Sequence, residues 1–257
     1  MKYLITLFSF ILLSNAVQAS KKPDDVVHLT ADVWCPYTCA DTDPNLGLMT
    51  EVAQKAYAEV GIQSQYVSSS WNRAISAVKT GTHDILLGSN KEQGSDFELF
   101  TDYFMYDVTV FAVLSDSNIA ISKPSDLTKY RTGKVEEYDY DETGVWEPYI
   151  QEHPNVLEVT SVRGEEHLLD LLKRGRIEVA VMNRDVETYY ASQKQLKKVR
   201  AIEPNISSKL YLGFNRSERG LMLREKFREG LKALIKKDQL APIYEKYQIP
   251  MPEFDIK

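Results

Sequence analysis

The chain has 257 residues, 43% of them hydrophobic and 26% charged, with 31 Lys and Arg against 37 Asp and Glu. Those proportions are the averages of ordinary soluble domains and exclude disordered, collagen-like and low-complexity classes. A net charge of −6, with no basic cluster beyond Lys197-Lys198 or Lys236-Lys237, lacks the footprint of a phosphate-backbone binder, so nucleic acid is not an expected partner.

The N-terminus reads as an export signal. Lys2 supplies the positive region, 3–13 the apolar run, and Val17-Gln18-Ala19 the small residues of a cleavage site. The competing reading, a membrane anchor, needs about 20 consecutive apolar residues, and Ser14-Asn15 interrupts this run. Residues 1–19 are therefore expected to be removed after Ala19, giving an exported chain with no spanning segment.

In chain order, a β-branched run at 26–31 predicts a strand. After a turn-rich loop at 41–47, Leu48, Val52, Ala56 and Val60 recur at helical spacing and Gly61 closes the helix. Strands at 62–67 and 85–87 flank a helix at 71–79 with Ala74, Ile75 and Val78 inward. Leu168, Leu169, Leu171 and Leu172 mark another helix, and 179–182 another strand. This alternation predicts a largely parallel sheet flanked by helices. Ile75-x-x-Val78-x-x-Gly81-x-x-Asp84-Ile85 overlays Leu169-x-x-Leu172-x-x-Gly175-x-x-Glu178-Val179 at a constant offset of 94, which predicts two similar α/β lobes. From Ser217 onward the chain reads as helix, with Leu221, Phe227, Leu231, Leu234, Ile235 and Ile243 available for burial. It is expected to pack back on the first lobe.

The two cysteines are too few for a disulfide scaffold, and His28, His83, His153 and His167 show no metal-ligand spacing. No Ser-His-Asp set or Gly-rich phosphate loop is present, so neither a cofactor nor catalysis is expected.

Trp34-x-Pro36-Tyr37, Gly47-Leu48-x-x-Glu51-Val52, Trp71, Gly81-x-x-Asp84-Ile85-x-x-Gly88, Phe100-Thr101-Asp102-Tyr103, Leu172-x-x-Gly175-Arg176-Ile177-Glu178-Val179 and Ile243-x-x-Lys246-Tyr247 follow one another in that order. Together they resemble the bacterial extracellular solute-binding proteins of family 3, the type II periplasmic binding proteins of polar amino-acid ABC importers. The resemblance implies two α/β lobes, each a mixed, mainly parallel sheet flanked by helices. Lobe 1 would comprise 20–112 and 207–257 and lobe 2 113–206, with hinge crossings near 109–114 and 209–214. It further implies a monomeric periplasmic receptor that captures a small molecule in the interlobe cleft and delivers it to an inner-membrane ABC permease. The alternatives are a cleft enzyme of the cyclohexadienyl dehydratase type, with Glu51, Glu136 or Asp185 as general acid, and a ligand sensor without a transporter.

The chain departs from that family where an amino acid would be held. The position of the carboxylate-clamping Arg falls on Gly94 or Ser95, and that of the ammonium-binding acid on Asn183, beside Arg184 and Asp185. Neither replacement neutralises a charge, so the ligand is expected not to be a standard zwitterionic amino acid. Trp34, Tyr37 and Trp71 follow strand ends, where open α/β sheets place ligands, and their rings would stack on a planar or cationic group. The plainer alternative is loop-packing aromatics. Ser89 and Asn90 offer short polar groups or a turn. Tyr138 and Tyr140 face the cleft in the family pattern. Arg73 and Lys91 are the nearest cations, with solvated surface charge the commoner role. Glu136, Glu137, Asp139, Asp141 and Glu142 crowd one loop, either drawing in a cation or simply solvated. Cys35 and Cys39 in an exported chain suggest a short structural disulfide; glutaredoxin-like redox chemistry or free thiols are the rivals.

Overall fold

Two copies of one helix-turn-strand device organise the chain. The computed structural model describes residues 26–91, 96–193 and 198–255; the expected signal peptide and Gly94 and Ser95 lie outside them. In the first half, β1 (Val26–Ala31), α1 (Leu48–Glu59), β2 (Gln63–Ser68), α2 (Trp71–Lys79), β3 (Ile85–Ser89) and β4 (Glu98–Leu99) lead into the long β5 (Met105–Leu114). The second half runs through a 3-10 turn at Pro124–Lys129, then β6 (Thr132–Val135), α3 (Glu147–Gln151), β7 (Val156–Val159), α4 (Gly164–Lys173), β8 (Val179–Asn183) and α5 (Arg184–Gln193). The return strand β9 (Val199–Phe214) precedes α6 (Glu218–Lys236) and α7 (Ala241–Tyr247).

The sheet order β2-β1-β3-β9-β5-β8-β6-β7 is close to palindromic. β1 lies parallel between β2 and β3, and β6 lies parallel between β7 and β8. Antiparallel β9 and β5 join the two halves. This is the expected two-lobe mixed α/β architecture.

The repeat in the sequence has a structural cause. Gly81 and Gly175 adopt φ of 75° and 64°, the left-handed conformation that ends a helix and that only glycine takes without strain. Three residues later the acid caps a neighbouring strand. Asp84 accepts the backbone N–H of His28 at 2.9 Å, and Glu178 accepts that of Arg131, beside β6, at 3.0 Å. Asp84 is buried and gripped by Arg219 through Nε at 2.8 Å and Nη2 at 3.2 Å, whereas Glu178 meets Arg131 on the surface. Because desolvated charge-assisted bonds count for more than exposed ones, Asp84→Asn should cost about 2 kcal/mol and Glu178→Gln less than about 1 kcal/mol. Equal losses in urea denaturation would show that burial does not separate them.

The C-terminal helices pack as expected, with Tyr57 of α1 donating to the carbonyl of Leu223 on α6 at 2.9 Å. The buried stripe of α6 is Leu223, Phe227, Gly230, Leu231 and Leu234. Leu221 and Ile235, expected inside, are exposed because they fall off that i, i+4, i+7 face. The two strands that cross between the halves are β5 and β9. Thr109–Ala112 already pairs with β8 and Tyr211–Phe214 with β3. The stretch where β5 and β9 pair only with each other between the halves is Met105–Val108 with Ser207–Leu210.

Candidate ligand-binding site

The site begins where β1 ends. Asp32 is buried, and the next turn is closed by the Trp34–Thr38 bridge and the Cys35–Cys39 disulfide. The expected pairing is thus present, and the free-thiol alternative is not met. Gly47, at φ 95°, passes so close that a Cβ would lie 2.5 Å from the Tyr37 carbonyl oxygen. That approach lets Leu48 N and Met49 N donate to the carbonyls of Pro36 and Tyr37, both at 2.9 Å. The first free N–H groups of α1 are therefore spent on fixing this loop.

Trp71 opens α2, and Gly88 and Asn90 stand at the end of β3, so the first lobe presents its groups at the carboxyl ends of its strands. The second lobe answers with the segment after β6, and Asp107 projects from β5. Asp32, Trp34, Trp71, Leu87, Gly88, Asn90, Asp107, Tyr138, Asp139 and Leu210 enclose a pocket of about 30 Å³. A water needs roughly 10–15 Å³ by the same measure, so the space holds about two.

The pocket is small because protein groups fill it. Four consecutive residues of the second lobe each bond the first. Asn72 Nδ2 donates to Glu136 Oε2 at 3.3 Å, and Trp71 Nε1 to the Glu137 carbonyl at 3.0 Å. Tyr138 OH donates to Asp32 Oδ2 at 2.5 Å, and Asn90 Nδ2 to Asp139 Oδ2 at 3.0 Å. The Tyr138 ring meets the Trp71 ring edge-on at 5.7 Å. Glu137 holds a left-handed φ of 62°, a conformation unfavourable for a non-glycine residue, and it aims the carbonyl at Trp71. Outside the pocket, Val33 N bonds the Val162 carbonyl at 2.8 Å and Tyr37 OH bonds Asp185 Oδ2 at 2.5 Å.

Three acids around the pocket are displaced from ordinary carboxylate behaviour. Burial pushes Asp32 up to about 7, partly offset by the Tyr138 hydrogen bond. Desolvation lifts Asp107 to about 6, with the Asn183 amide pulling it back and Asp185 and Glu142 adding to the rise. Burial also drives Glu165, in the first turn of α4, well above its usual range, with Asp107 and Asp32 adding repulsion. All three shifts have the same cause, since a desolvated cleft disfavours the ionised carboxylate.

Of the residues expected at the site, Trp34, Trp71, Asn90 and Tyr138 line the pocket. Tyr37 and Ser89 are fully buried in its surroundings rather than on its wall, and Arg73 is exposed and off the wall. Lys91 is likewise exposed. Asn183 stands behind the pocket. Its Oδ1 accepts the N–H groups of Asp185 at 2.8 Å and Val186 at 3.0 Å, capping α5, while its Nδ2 donates to Asp107 at 2.7 Å. Tyr140 is buried, with its hydroxyl accepting Val135 N at 2.8 Å. Of the acids named for an enzyme, Glu51 pairs with Lys246 at the surface and its pKa falls; Glu136 and Asp185 bond Asn72 and Tyr37. The sequence reading missed Asp32, Asp107 and Glu165. Asp32 carried one usable signal, since it directly follows a strand end; the other two carried none.

Among the described residues no helix is long and apolar enough to cross a membrane. The family model for bacterial extracellular solute-binding proteins, family 3, matches residues 26–250. No curated protein matches the sequence. Among solved structures, the arginine-, lysine-, histidine-binding protein ArtJ from Geobacillus stearothermophilus is similar at a TM-score of 0.73 and 18% identity, covering 90% of this chain and 98% of its own. A histidine kinase sensor domain with similarity to periplasmic binding proteins aligns at 0.71 and 21%, covering 88% and 97%. The ancestral amino acid-binding protein AncCDT-1, a precursor of cyclohexadienyl dehydratase, aligns at 0.68 and 18%, covering 87% and 95%.

Proposed function

Because the chain belongs to family 3 of the bacterial extracellular solute-binding proteins, we propose that it is a periplasmic receptor that closes its lobes over a small molecule and delivers it to an inner-membrane ABC permease. The observation that carries this reading is a pocket walled from both lobes, with Trp71 and Asn90 on one side and Tyr138 and Asp139 on the other. Such a pocket exists only in the closed form, so a ligand that bridges it favours closure. Removal of residues 1–19 after Ala19 and a division at 112/113 and 206/207 belong to the same proposal. The register shift between Thr109 and Phe111 in the β5–β9 ladder lies beside both boundaries and supports a flexible joint there. The ligand is not a standard zwitterionic amino acid, since no basic side chain among the described residues lines the pocket.

Ligand entry requires Tyr138 to leave Asp32. Protein released gently from the periplasm is expected to carry a small molecule that mass spectrometry recovers unchanged, and its removal should raise the radius of gyration. Unchanged scattering with no recoverable ligand would refute the receptor reading. The proton-holding carboxyls Asp32 and Glu165 favour one second reading, a cleft enzyme of the dehydratase type, because a protonated acid in a desolvated pocket suits general-acid work. Turnover of a cyclohexadienyl acid at substoichiometric protein would select it. A sensor differs from the transport receptor only in lacking a permease partner, which pull-down with the inner-membrane fraction decides.

A further inference from the structure

The pocket has acids on its walls and no positive charge to meet them. Asp32, Asp107 and Asp139 line it, Glu165 stands close behind, and no Lys, Arg or His among the described residues joins them. Each acid is held by a neutral donor. Tyr138 OH bonds Asp32 at 2.5 Å, Asn183 Nδ2 bonds Asp107 at 2.7 Å, Asn90 Nδ2 bonds Asp139 at 3.0 Å, and Asn183 N bonds Glu165 at 3.1 Å. Neutral donors satisfy lone pairs without cancelling charge, so repulsion among the desolvated acids persists.

A second, independent observation lies on the same wall. The Trp34 indole N–H is buried and makes no hydrogen bond, and its residue is only 7% exposed. The Glu165 carboxyl is near enough to be tempered by that indole, yet it does not complete the bond. A buried donor left unpaired keeps its full desolvation penalty, so the site lacks an acceptor as well as a cation. A carboxylate would be a poor acceptor here, surrounded by like charges. The leading N–H groups of α1, which would otherwise attract an anion, are taken by Pro36 and Tyr37.

Resting on the receptor reading above, we propose that this pocket takes a small organic cation that carries a neutral acceptor oxygen and no carboxylate. Its positive group replaces the Tyr138 hydroxyl against Asp32 and lies across the faces of Trp71 and Trp34, where cation–π attraction adds to the ion pair. Its oxygen receives the Trp34 N–H.

Titration calorimetry on the ligand-stripped wild-type protein tests this with matched compounds that differ by a carboxylate. The pairs are argininamide with arginine, ethanolamine with serine, tyramine with tyrosine, and choline with glycine betaine. At least one amine or ammonium member should bind, at least tenfold tighter than its carboxylated partner. Its affinity should fall about tenfold from pH 8 to pH 6 as Asp32 takes up a proton. The groups facing Asp32 are Tyr138 from the second lobe, Tyr66 from β2 and Glu165 from α4; the two tyrosines stay neutral throughout, and Glu165 shifts in the same sense. In Asp32→Asn the preference for the cation should collapse at least tenfold. A carboxylated partner that binds better, or a co-purified ligand without positive charge, would overturn the cation assignment while leaving the receptor reading intact. No binding by any compound, with no co-purified ligand, would overturn both.

Discussion

Gly230→Ala is expected to lose at least about 3 kcal/mol of stability, more than any single removal of a cleft hydrogen bond. Gly230 sits in the middle of α6, on the stripe that faces α1, and an added Cβ would lie 1.8 Å from the carbonyl oxygen of Ala56 and 2.5 Å from its carbon. Both atoms belong to the backbone of α1, so neither can turn aside as a flexible side chain would. Relief requires the whole of α6 to back away from α1, opening the layer that buries Tyr57, Leu223, Phe227 and Leu231. Overpacking usually costs about 1–3 kcal/mol, and the upper end applies where the neighbour is rigid. Gly61 provides the control. Its φ is 72°, but a Cβ there would meet nothing within 4 Å, so Gly61→Ala should cost about 1 kcal/mol of backbone strain alone. Denaturant melts of the three proteins check the ranking. A Gly230→Ala loss no greater than that of Gly61→Ala would mean that the helix pair is not so tightly seated.

The same distinction between local and tertiary causes explains which parts of the fold were legible in the sequence. Helix 71–79 and strand 26–31 were readable because their signals are local: a β-branched run, apolar residues at one spacing, and Gly81 where the backbone must turn left-handed. The paired acids Asp84 and Glu178 were visible as a repeat, although their task of capping a neighbouring strand was not. By contrast, the sixteen-residue β9 carries Pro204 and Asn205, and proline normally argues against a central strand. It is tolerated because the ladder breaks there: Thr109 pairs with Ile206 but Phe111 with Ile202, and Asn205 takes φ 59° in the bulge.

The cleft shows the same split. Trp34 and Trp71 were found because a rule about strand ends points to them. Asp32, Asp107 and Glu165 are 75 and 58 residues apart along the chain (107 − 32 and 165 − 107), and nothing local marks an acid that folding will desolvate. Asn183 was read as a ligand group from its place after a strand; its use as the cap of α5 and partner of Asp107 depends on a strand and a helix that meet only in the folded chain. Tyr138 was expected to face the cleft, and its bond to Asp32 places its hydroxyl across the pocket.

Asp32 carries the second large effect, because its proton links stability to pH. The ordinary value of 3.8 rises to about 7 in the folded chain, so the folded state holds a proton that the unfolded state has released. Stability must then fall as pH rises, being fully present below about pH 4 and lost through pH 7. Between pH 5 and pH 8 Asp32 alone should remove about 2 kcal/mol, and Asp107, raised to about 6, and Glu165 act with the same sign. The acids held low by partners, Asp126 beside Lys129 and Glu51 beside Lys246, stay ionised across this window and contribute no slope. His153, lowered by burial, opposes it only weakly. Calorimetric melting of the ligand-free protein should show a Tm lower at pH 8 than at pH 5 by roughly 5 °C, taking about 2–4 °C per kcal/mol for a chain of this size. Asp32→Asn, which keeps an acceptor for Tyr138, should remove a large part of that difference. A Tm that is flat or rises toward pH 8 would mean that Asp32 is not desolvated in solution. The sign also couples the two states of the cleft: the ionised Asp32 that weakens the empty closed form is the one that a cation needs, so ligand should stabilise most at the pH where the empty protein is weakest.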